Sequence, residues 1–247
     1  LSDKINLNDI NLNANKLDID NAINNSLTSA MINRLELNEN KILSIANDMI
    51  KISNLNDPIG EIIETYNHPN GLVIKKERVP FGVICAIFES RPNVSVDIAC
   101  LCLKTSNACV LRGGKEAINT NMALVNVMKE AIKDIVNPNV ITLIEDTDRA
   151  LVMQLIQSKE YIDLVVPRGG KALINHVVTN SKVPFIETGA GNCHIYVDDE
   201  CDFDMALKVI INAKVSRPSV CNAIETILVN KNIKESTLPL SNIVFSF

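Results

Sequence analysis

The stretch "KVSRPSVCNAIET", Lys214 to Thr226, sets a single thiol, Cys221, among small and polar residues just after an Arg-Pro pair. Structural cysteines sit among Val, Ile, Leu and Ala, where the thiol serves as a small hydrophobe. Cys221 instead has Ser219, Asn222 and Glu225 nearby in sequence and Arg217 upstream. A polar, electropositive setting of that kind draws a thiol toward thiolate, and a thiolate is a nucleophile. Cys85, Cys100, Cys102 and Cys109 lie in apolar runs such as "GVICAIF" and "IACLCLK", as buried reduced thiols do. Cys193 directly precedes His194 in "GNCHIYV", but neighbours on a strand point to opposite faces. That pair reads as packing rather than as a Cys-His dyad.

No C-x-x-C pair occurs, and His68, His176 and His194 show no ligand spacing, so no metal site is expected. The formal net charge is -5, and no basic stripe is available to neutralise phosphates, which argues against nucleic acid. No apolar run approaches the length needed to span a bilayer. The first twenty residues, "LSDKINLNDINLNANKLDID", are polar and asparagine-rich, unlike a signal peptide. The expectation is a reduced, cytoplasmic protein that acts on a small molecule.

The 247 residues are 47% hydrophobic, which supplies a sizeable core for the elements that must hold a reactive thiol. Residues 1–50 read as helical from the apolar spacing in "MINRLELNENKILSIANDMIKI". "HPNG" is a turn, followed by the strand-like "LVIKKERV". Then a rhythm sets in: strand "GVICAIFE", helix "VSVDIACLCLKTS", strand "ACVLRG", helix "EAINTNMALVNVMKEAIKDI", strand "NVITLIE". Helix "DRALVMQLIQSK" leads to strand "IDLVVPRGG", and "KALINHVVTNS" to strand "VPFIETG". Strand "CHIYVD" and helix "FDMALKVIINAKV" complete the series. Short apolar strands separated by helices predict a parallel sheet covered on both faces, a doubly wound α/β core over roughly residues 75–215.

In such a sheet ligands bind beyond the carboxyl ends of the strands. The turns there are "ESRPNV", "LRGGKEA", "EDTDRA", "PRGGKA" and "ETGAGN". None is a G-x-G-x-x-G fingerprint, which argues against a standard Rossmann site. Two Arg-Gly-Gly-Lys turns at strand ends still supply close backbone approach, N–H donors and positive charge, the needs of a phosphate-bearing cofactor.

Taken in order, "PFGVICAIFESRPNV", "LRGGKEAINTN", "EDTDRA", "VPRGGKALI", "VPFIETGAGNCHIYVD" and "SRPSVCNAIETILV" resemble the γ-glutamyl phosphate reductases. These are the glutamate-5-semialdehyde dehydrogenases of proline biosynthesis, in the aldehyde dehydrogenase superfamily. The resemblance runs from about residue 1 to about residue 232. It implies an aldehyde-dehydrogenase-like α/β fold and NADPH-dependent reduction of L-glutamyl 5-phosphate to L-glutamate 5-semialdehyde. The division it suggests is a cofactor-binding domain at 1–215, with an oligomerisation hairpin near 60–80, and the start of a truncated catalytic domain at 216–247. A homo-oligomer follows from the same resemblance.

The resemblance also suggests roles. Cys221 would attack the acyl phosphate and form a thioester. Asn93 would donate its side-chain amide to the oxyanion, the alternative being a cap on the following helix. Glu187 matches the general base of hydrolytic aldehyde dehydrogenases, or is a strand-end carboxylate capping N–H groups. Arg112, Gly113, Gly114 and Lys115 fall where the superfamily binds the adenosine ribose, and Lys115 would suit a 2′-phosphate. Arg168, Gly169 and Gly170 match the turn facing the pyrophosphate. Arg91 and Arg217 each precede a proline, and their guanidinium forks suit a phosphate or a substrate carboxylate. Chains of this family continue well past the nucleophile, so this one reads as an excerpt. The competing readings are a general aldehyde-oxidising dehydrogenase and a fragment that binds dinucleotide without turnover.

Overall fold

The structure, a computed structural model, describes residues 12–187, 191–216, 218 and 220–233. It divides into two units, Leu1–Thr188 and Gly189–Phe247. The division therefore falls ahead of the expected 215/216 boundary. The strand "CHIYVD" and the helix after it, read as the end of the first domain, build the second unit instead.

In the first unit the N-terminal region forms three helices, α1 (Leu12–Asn24), α2 (Ser29–Leu35) and α3 (Glu39–Ser53). Side-chain caps set the later starts: Thr28 accepts from the Met31 N–H, and Asn38 from the Lys41 N–H at 2.9 Å. Two strands, β1 (Ile62–Asn67) and β2 (Val73–Glu77), then pair antiparallel, and every residue of both is exposed.

The α/β rhythm follows as β3 (Val83–Phe88), α4 (Asn93–Lys104), β4 (Ala108–Arg112), α5 (Ile118–Ile132), β5 (Ile141–Leu143), α6 (Ala150–Gln157), β6 (Leu164–Arg168) and α7 (Lys171–Asn180). The four strands are parallel, in the order β5-β4-β3-β6. Alternation along β3 splits the core in two. Ile84, Ala86 and Phe88 join α3, α4 and α5 on one face, while Cys85 and Ile87 join Val152, Ile156 and Val177 of α6 and α7 on the other. "VPFIETG" does not form a strand of its own. Phe185 makes an isolated parallel bridge to Val165, flanked by hydrogen bonds from Val165 N–H to the Pro184 carbonyl and from Ile186 N–H to the Val165 carbonyl.

The strand order fixes where a ligand can enter. The chain moves from β3 outward to β4 and β5, then returns to place β6 on the other side of β3. Connections leave the adjacent strands β3 and β6 toward opposite faces, which opens a crevice at their carboxyl ends.

The second unit pairs β7 (Cys193–Val197) parallel with β8 (Ile224–Val229), joined by α8 (Phe203–Val215). Asp202 caps α8 by accepting from the Met205 N–H at 3.0 Å. Val197 and Ile210 anchor its small core, with Ile195, Ala206 and Ile227 against them.

Candidate active site

At the β3–β6 crevice the chain beyond β3 is held by its neighbour strand. The Glu89 N–H donates to the Arg168 carbonyl at 3.1 Å, which extends the β3–β6 pairing past Phe88, and the Arg91 N–H donates to the Glu89 carbonyl at 2.7 Å and turns the chain. The Glu89 side chain then reaches over the turn that opens α7, where Oε1 accepts the Gly170 N–H at 3.0 Å. A Cβ built on Gly169 would lie 2.6 Å from the Glu89 carboxyl carbon, so only glycine admits the carboxylate at that approach. Gly170 caps α7 without a side chain, so no cap comes from the turn itself.

The Arg-Gly-Gly-Lys turn after β4 departs from expectation. Arg112 was expected at the cofactor; it is only 8% exposed. Its guanidinium turns inward, Nη1 to the Gly113 carbonyl at 2.7 Å and Nη2 to the Thr147 and Asp148 carbonyls at 2.8 and 3.3 Å. Burial draws its pKa below the ordinary arginine value. Arg112 therefore ties the β4 turn to the segment before α6. Gly113 also serves the interior: a Cβ there would stand 2.4 Å from Asn121 Nδ2 and 3.1 Å from the Phe88 ring. Gly114 lies beside the Ser90 backbone, Lys115 is exposed, and the Ser90 hydroxyl donates to Glu116 Oε2 at 3.4 Å. Of the four residues, Gly114 is partly exposed and Lys115 is exposed.

Asn93 opens α4, but the capping position is Pro92 and no side chain caps the helix. The Asn93 amide instead donates to Asp97 Oδ2 at 3.1 Å. Burial pushes the Asp97 carboxyl above the ordinary carboxylate range, with the Asn93 hydrogen bond pulling back. A carboxamide has two N–H donors. Asp97 takes one, which orients the group, and the other is left to give. Arg91 is half-buried, and no hydrogen bond or ion pair within the described residues holds its guanidinium. Arg168 and Glu187 are exposed, the latter two residues beyond the Phe185 bridge.

Cys221 belongs to the second unit. It is exposed, whereas Cys85, Cys100, Cys102 and Cys109 are buried. Burial pushes the Cys85 and Cys100 thiols up to about 12, which leaves them inert as nucleophiles. A hydrogen bond from the Ala223 N–H to the Val220 carbonyl, 3.1 Å, closes the turn that carries Cys221. The turn presses its backbone on Gly191, where a Cβ would meet the Cys221 carbonyl oxygen at 2.3 Å. Cys193 Sγ donates to that same carbonyl at 3.6 Å, and Lys214 Nζ braces the start of β8 through the Ile224 carbonyl at 3.1 Å. Cys193 thus packs on the Cys221 backbone, and exposed His194 has its Nδ1 at 2.7 Å from the Asn192 carbonyl. Arg217 lies outside the described residues. Among those described, no group of His, Cys, Asp and Glu is placed to hold a metal ion, and no helix is long and apolar enough to cross a membrane.

A parallel sheet with a switch-point crevice, followed by an exposed cysteine in a braced turn, has counterparts of known family. Residues 40–240 match the profile of the aldehyde dehydrogenase family. The chain belongs to that family. It is 48% identical over 231 residues to gamma-glutamyl phosphate reductase of Clostridium perfringens (strain SM101), covering 93% of this chain and 56% of that protein. It is 52% identical over 226 residues to gamma-glutamyl phosphate reductase of Clostridium botulinum (strain Eklund 17B), covering 91% and 55%. The crystal structure of gamma-glutamyl phosphate reductase from Thermotoga maritima superposes with a TM-score of 0.84 at 43% identity, over 93% of this chain and 56% of that one. The chain thus spans just over half the length of the curated relatives it matches.

One residue of the crevice was not singled out from the sequence. Glu89 stands in "FESRPNV" two positions before Arg91, and its carboxylate acts on Gly170, 81 residues away. The signal lay in the spacing between elements: a carboxylate just past one strand and a side-chain-free helix start just past the next.

Proposed function

We propose that this sequence is the cofactor-binding part and the nucleophile turn of a γ-glutamyl phosphate reductase of proline biosynthesis. The reaction is the NADPH-dependent reduction of L-glutamyl 5-phosphate to L-glutamate 5-semialdehyde and phosphate. The observation that carries it is the exposed, backbone-braced Cys221 in a chain about half identical to enzymes of that name.

The Cys221 thiolate attacks the acyl carbon, a C–S bond forms as the carbon–oxygen bond to phosphate breaks, and the phosphate leaves with the bonding pair. The second N–H of Asn93, oriented by Asp97, is the donor offered to the oxyanion of the tetrahedral species. Arg91 and Arg217 are the cations proposed for the phosphate or the substrate carboxylate. Glu187 is proposed as a proton acceptor for the thiol. A dinucleotide in the first unit is supported by two observations: α7 starts with a cap that has no side chain, and the Gly170 N–H there already holds an anionic oxygen, that of Glu89. Gly169, Gly170 and Arg168 would hold the pyrophosphate, and Gly114 and Lys115 the ribose end. When bound, NADPH supplies the hydride that reduces the thioester. Exposed Lys115 supports NADPH over NADH, since a 2′-phosphate gains from a cation beside it.

The buried reduced thiols support a cytoplasmic setting. The β1–β2 hairpin, exposed on every residue and carrying Ile62, Ile63, Tyr66, Val73 and Ile74, supports a homo-oligomeric arm; a monomer in sedimentation would overturn that part.

The chemistry is tested in reverse, with glutamate 5-semialdehyde, NADP+ and inorganic phosphate. NADPH formation that requires phosphate, and that falls roughly a thousandfold or more in Cys221→Ser, is the expected result. Formation independent of phosphate would mean hydrolytic deacylation and a general aldehyde-oxidising dehydrogenase. Activity retained by Cys221→Ser would remove the thiolate from the mechanism.

A further inference from the structure

Cys193 and Cys221 come together in the second unit. The Cys193 Sγ donates to the Cys221 carbonyl at 3.6 Å, and within Cys221 only the carbonyl carbon, Cα and Cβ stand between that oxygen and the thiol. A Cβ built on Gly191 would stand 3.6 Å from the Cys221 Cβ, and the Cβ atoms of a disulfide stand about 3.5–4.5 Å apart. The chain from 191 to 193 therefore runs alongside Cys221 at bridging distance. The β7–β8 register shifts between Cys193 and His194, and an irregularity of that kind re-aims a side chain. Both thiols can be reached from solvent: Cys221 is exposed and Cys193 partly so, whereas Cys85, Cys100, Cys102 and Cys109 are buried. Cys201, the remaining thiol, packs against the core of Val197 and Ile210.

We propose that Cys193 and Cys221 are a redox switch, closed as a disulfide when a hydroperoxide oxidises the chain and reopened by a dithiol. The Cys221 thiolate attacks the peroxide: an S–O bond forms, the O–O bond breaks, and sulfur is oxidised to a sulfenic acid while the departing oxygen leaves with the electron pair and takes up a proton. The Cys193 thiol then attacks that sulfur. An S–S bond forms as the S–O bond breaks, and hydroxide leaves with the Cys193 proton as water. The bridge shields Cys221 from further oxidation to sulfinic acid, which thiols do not reverse. It also occupies the sulfur that would attack the acyl phosphate, so turnover stops until a dithiol returns both thiols. That last consequence rests on the thioester reading above; the bridge itself depends only on the two sulfurs. A reductase arrested in this way stops drawing on NADPH while peroxide persists.

The test treats the wild-type chain, Cys193→Ser, Cys193→Ala and Cys201→Ser with hydrogen peroxide, alkylates the remaining thiols with iodoacetamide and maps the peptides by mass spectrometry. Wild type and Cys201→Ser should give a peptide pair joined through Cys193 and Cys221, lost with dithiothreitol and formed within single chains on a non-reducing gel. In both Cys193 variants the share of Cys221 that dithiothreitol returns to alkylation should fall about fivefold or more, as sulfinic acid takes its place. Two variants keep this comparison readable should one of them melt early by circular dichroism. Cys221 driven to sulfinic acid in wild type without a bridge to Cys193 overturns the proposal, as does a bridge to Cys201 or one formed only between chains. Cys221 that reacts with neither peroxide nor iodoacetamide overturns it together with the thiolate. Reverse turnover separates the two readings. A Cys193–Cys221 bridge in a chain whose NADPH formation needs no phosphate keeps the switch and removes the reductase. Phosphate-dependent turnover that peroxide abolishes beyond rescue by dithiothreitol keeps the reductase and removes the switch.

Discussion

The sheet of the first unit and that of the second are both parallel, yet they are finished differently. β3 is buried along almost its whole length, with helices over both faces. Among the described residues, β7 and β8 have one helix, α8, against the face that carries Ile195 and Val197. Their other face shows Tyr196 at 59% and Leu228 at 49% exposure. A strand covered on both sides accepts only apolar residues in sequence, whereas one covered on a single side alternates. The contrast teaches that the exposed Cys221 and the β3–β6 crevice are held by different means. The crevice stands on a closed core; among the described residues, the Cys221 turn owes its shape to local backbone contacts.

Truncating one side chain in each sheet should separate the two most strongly. Phe88→Ala, at a residue 2% exposed, should cost about 3–5 kcal/mol in denaturant unfolding. Leu228→Ala should cost less than about 1 kcal/mol, because its side chain is half in water already. Equal losses would mean that Leu228 is covered in solution and would erase the distinction.

A smaller effect should come from adding a methyl. In Gly191→Ala the new carbon meets a backbone carbonyl at 2.3 Å, so the Cys221 turn itself has to shift. In Gly113→Ala the new methyl meets the Asn121 amide, a side chain that has room to rotate only at the expense of the core. Overpacking of either kind costs about 1–3 kcal/mol, but only Gly191→Ala should change the rate of Cys221 alkylation by iodoacetamide. An unchanged rate there would show that the turn does not depend on Gly191.

The smallest effect concerns Asp97, whose raised pKa in the folded chain reflects burial. The folded state holds that proton more tightly than the unfolded one, where the carboxyl titrates near its ordinary value of about 4. Stability from this group is therefore full below that value and is lost as pH rises through the folded pKa. Urea midpoints followed from acid to neutral pH should show this decline in wild type and not in Asp97→Asn. A decline of the same size in the variant would assign it to another carboxylate.

The sequence made β3, β4 and β6 legible because "GVICAIF", "ACVL" and "DLVV" are apolar runs bounded by turn residues, a pattern set by covering on both faces. It also marked Cys221, since polar neighbours are visible in the chain. "VPFIETG" was less legible: an apolar run has strand character in isolation, but only Phe185 finds a ladder partner. Arg112 was misleading for a deeper reason. A guanidinium in a glycine-rich turn can face a ligand or the protein, and the carbonyls that claim it lie 35 and 36 residues on. Glu89 escaped for the same reason at a separation of 81 residues. Neighbour identity decides such cases, and it is a property of the folded chain.

α1 makes the point in the order of events rather than in space. Two of its three buried residues are polar, Asn15 and Asp18. Asp18 accepts from the Thr120 N–H at 2.8 Å and from the Thr120 hydroxyl at 2.6 Å, across 102 residues of chain, while Asn15 donates to the Leu35 carbonyl at 2.8 Å. A helix that docks through a buried carboxylate has no use for a generic greasy surface; it needs the N-terminus of α5 already wound. During synthesis, then, α1 leaves the ribosome ahead of α5 and closes late, waiting through about a hundred further residues, some 5–20 s at ordinary elongation rates. The helix is a latch, shut only after α5 has been made.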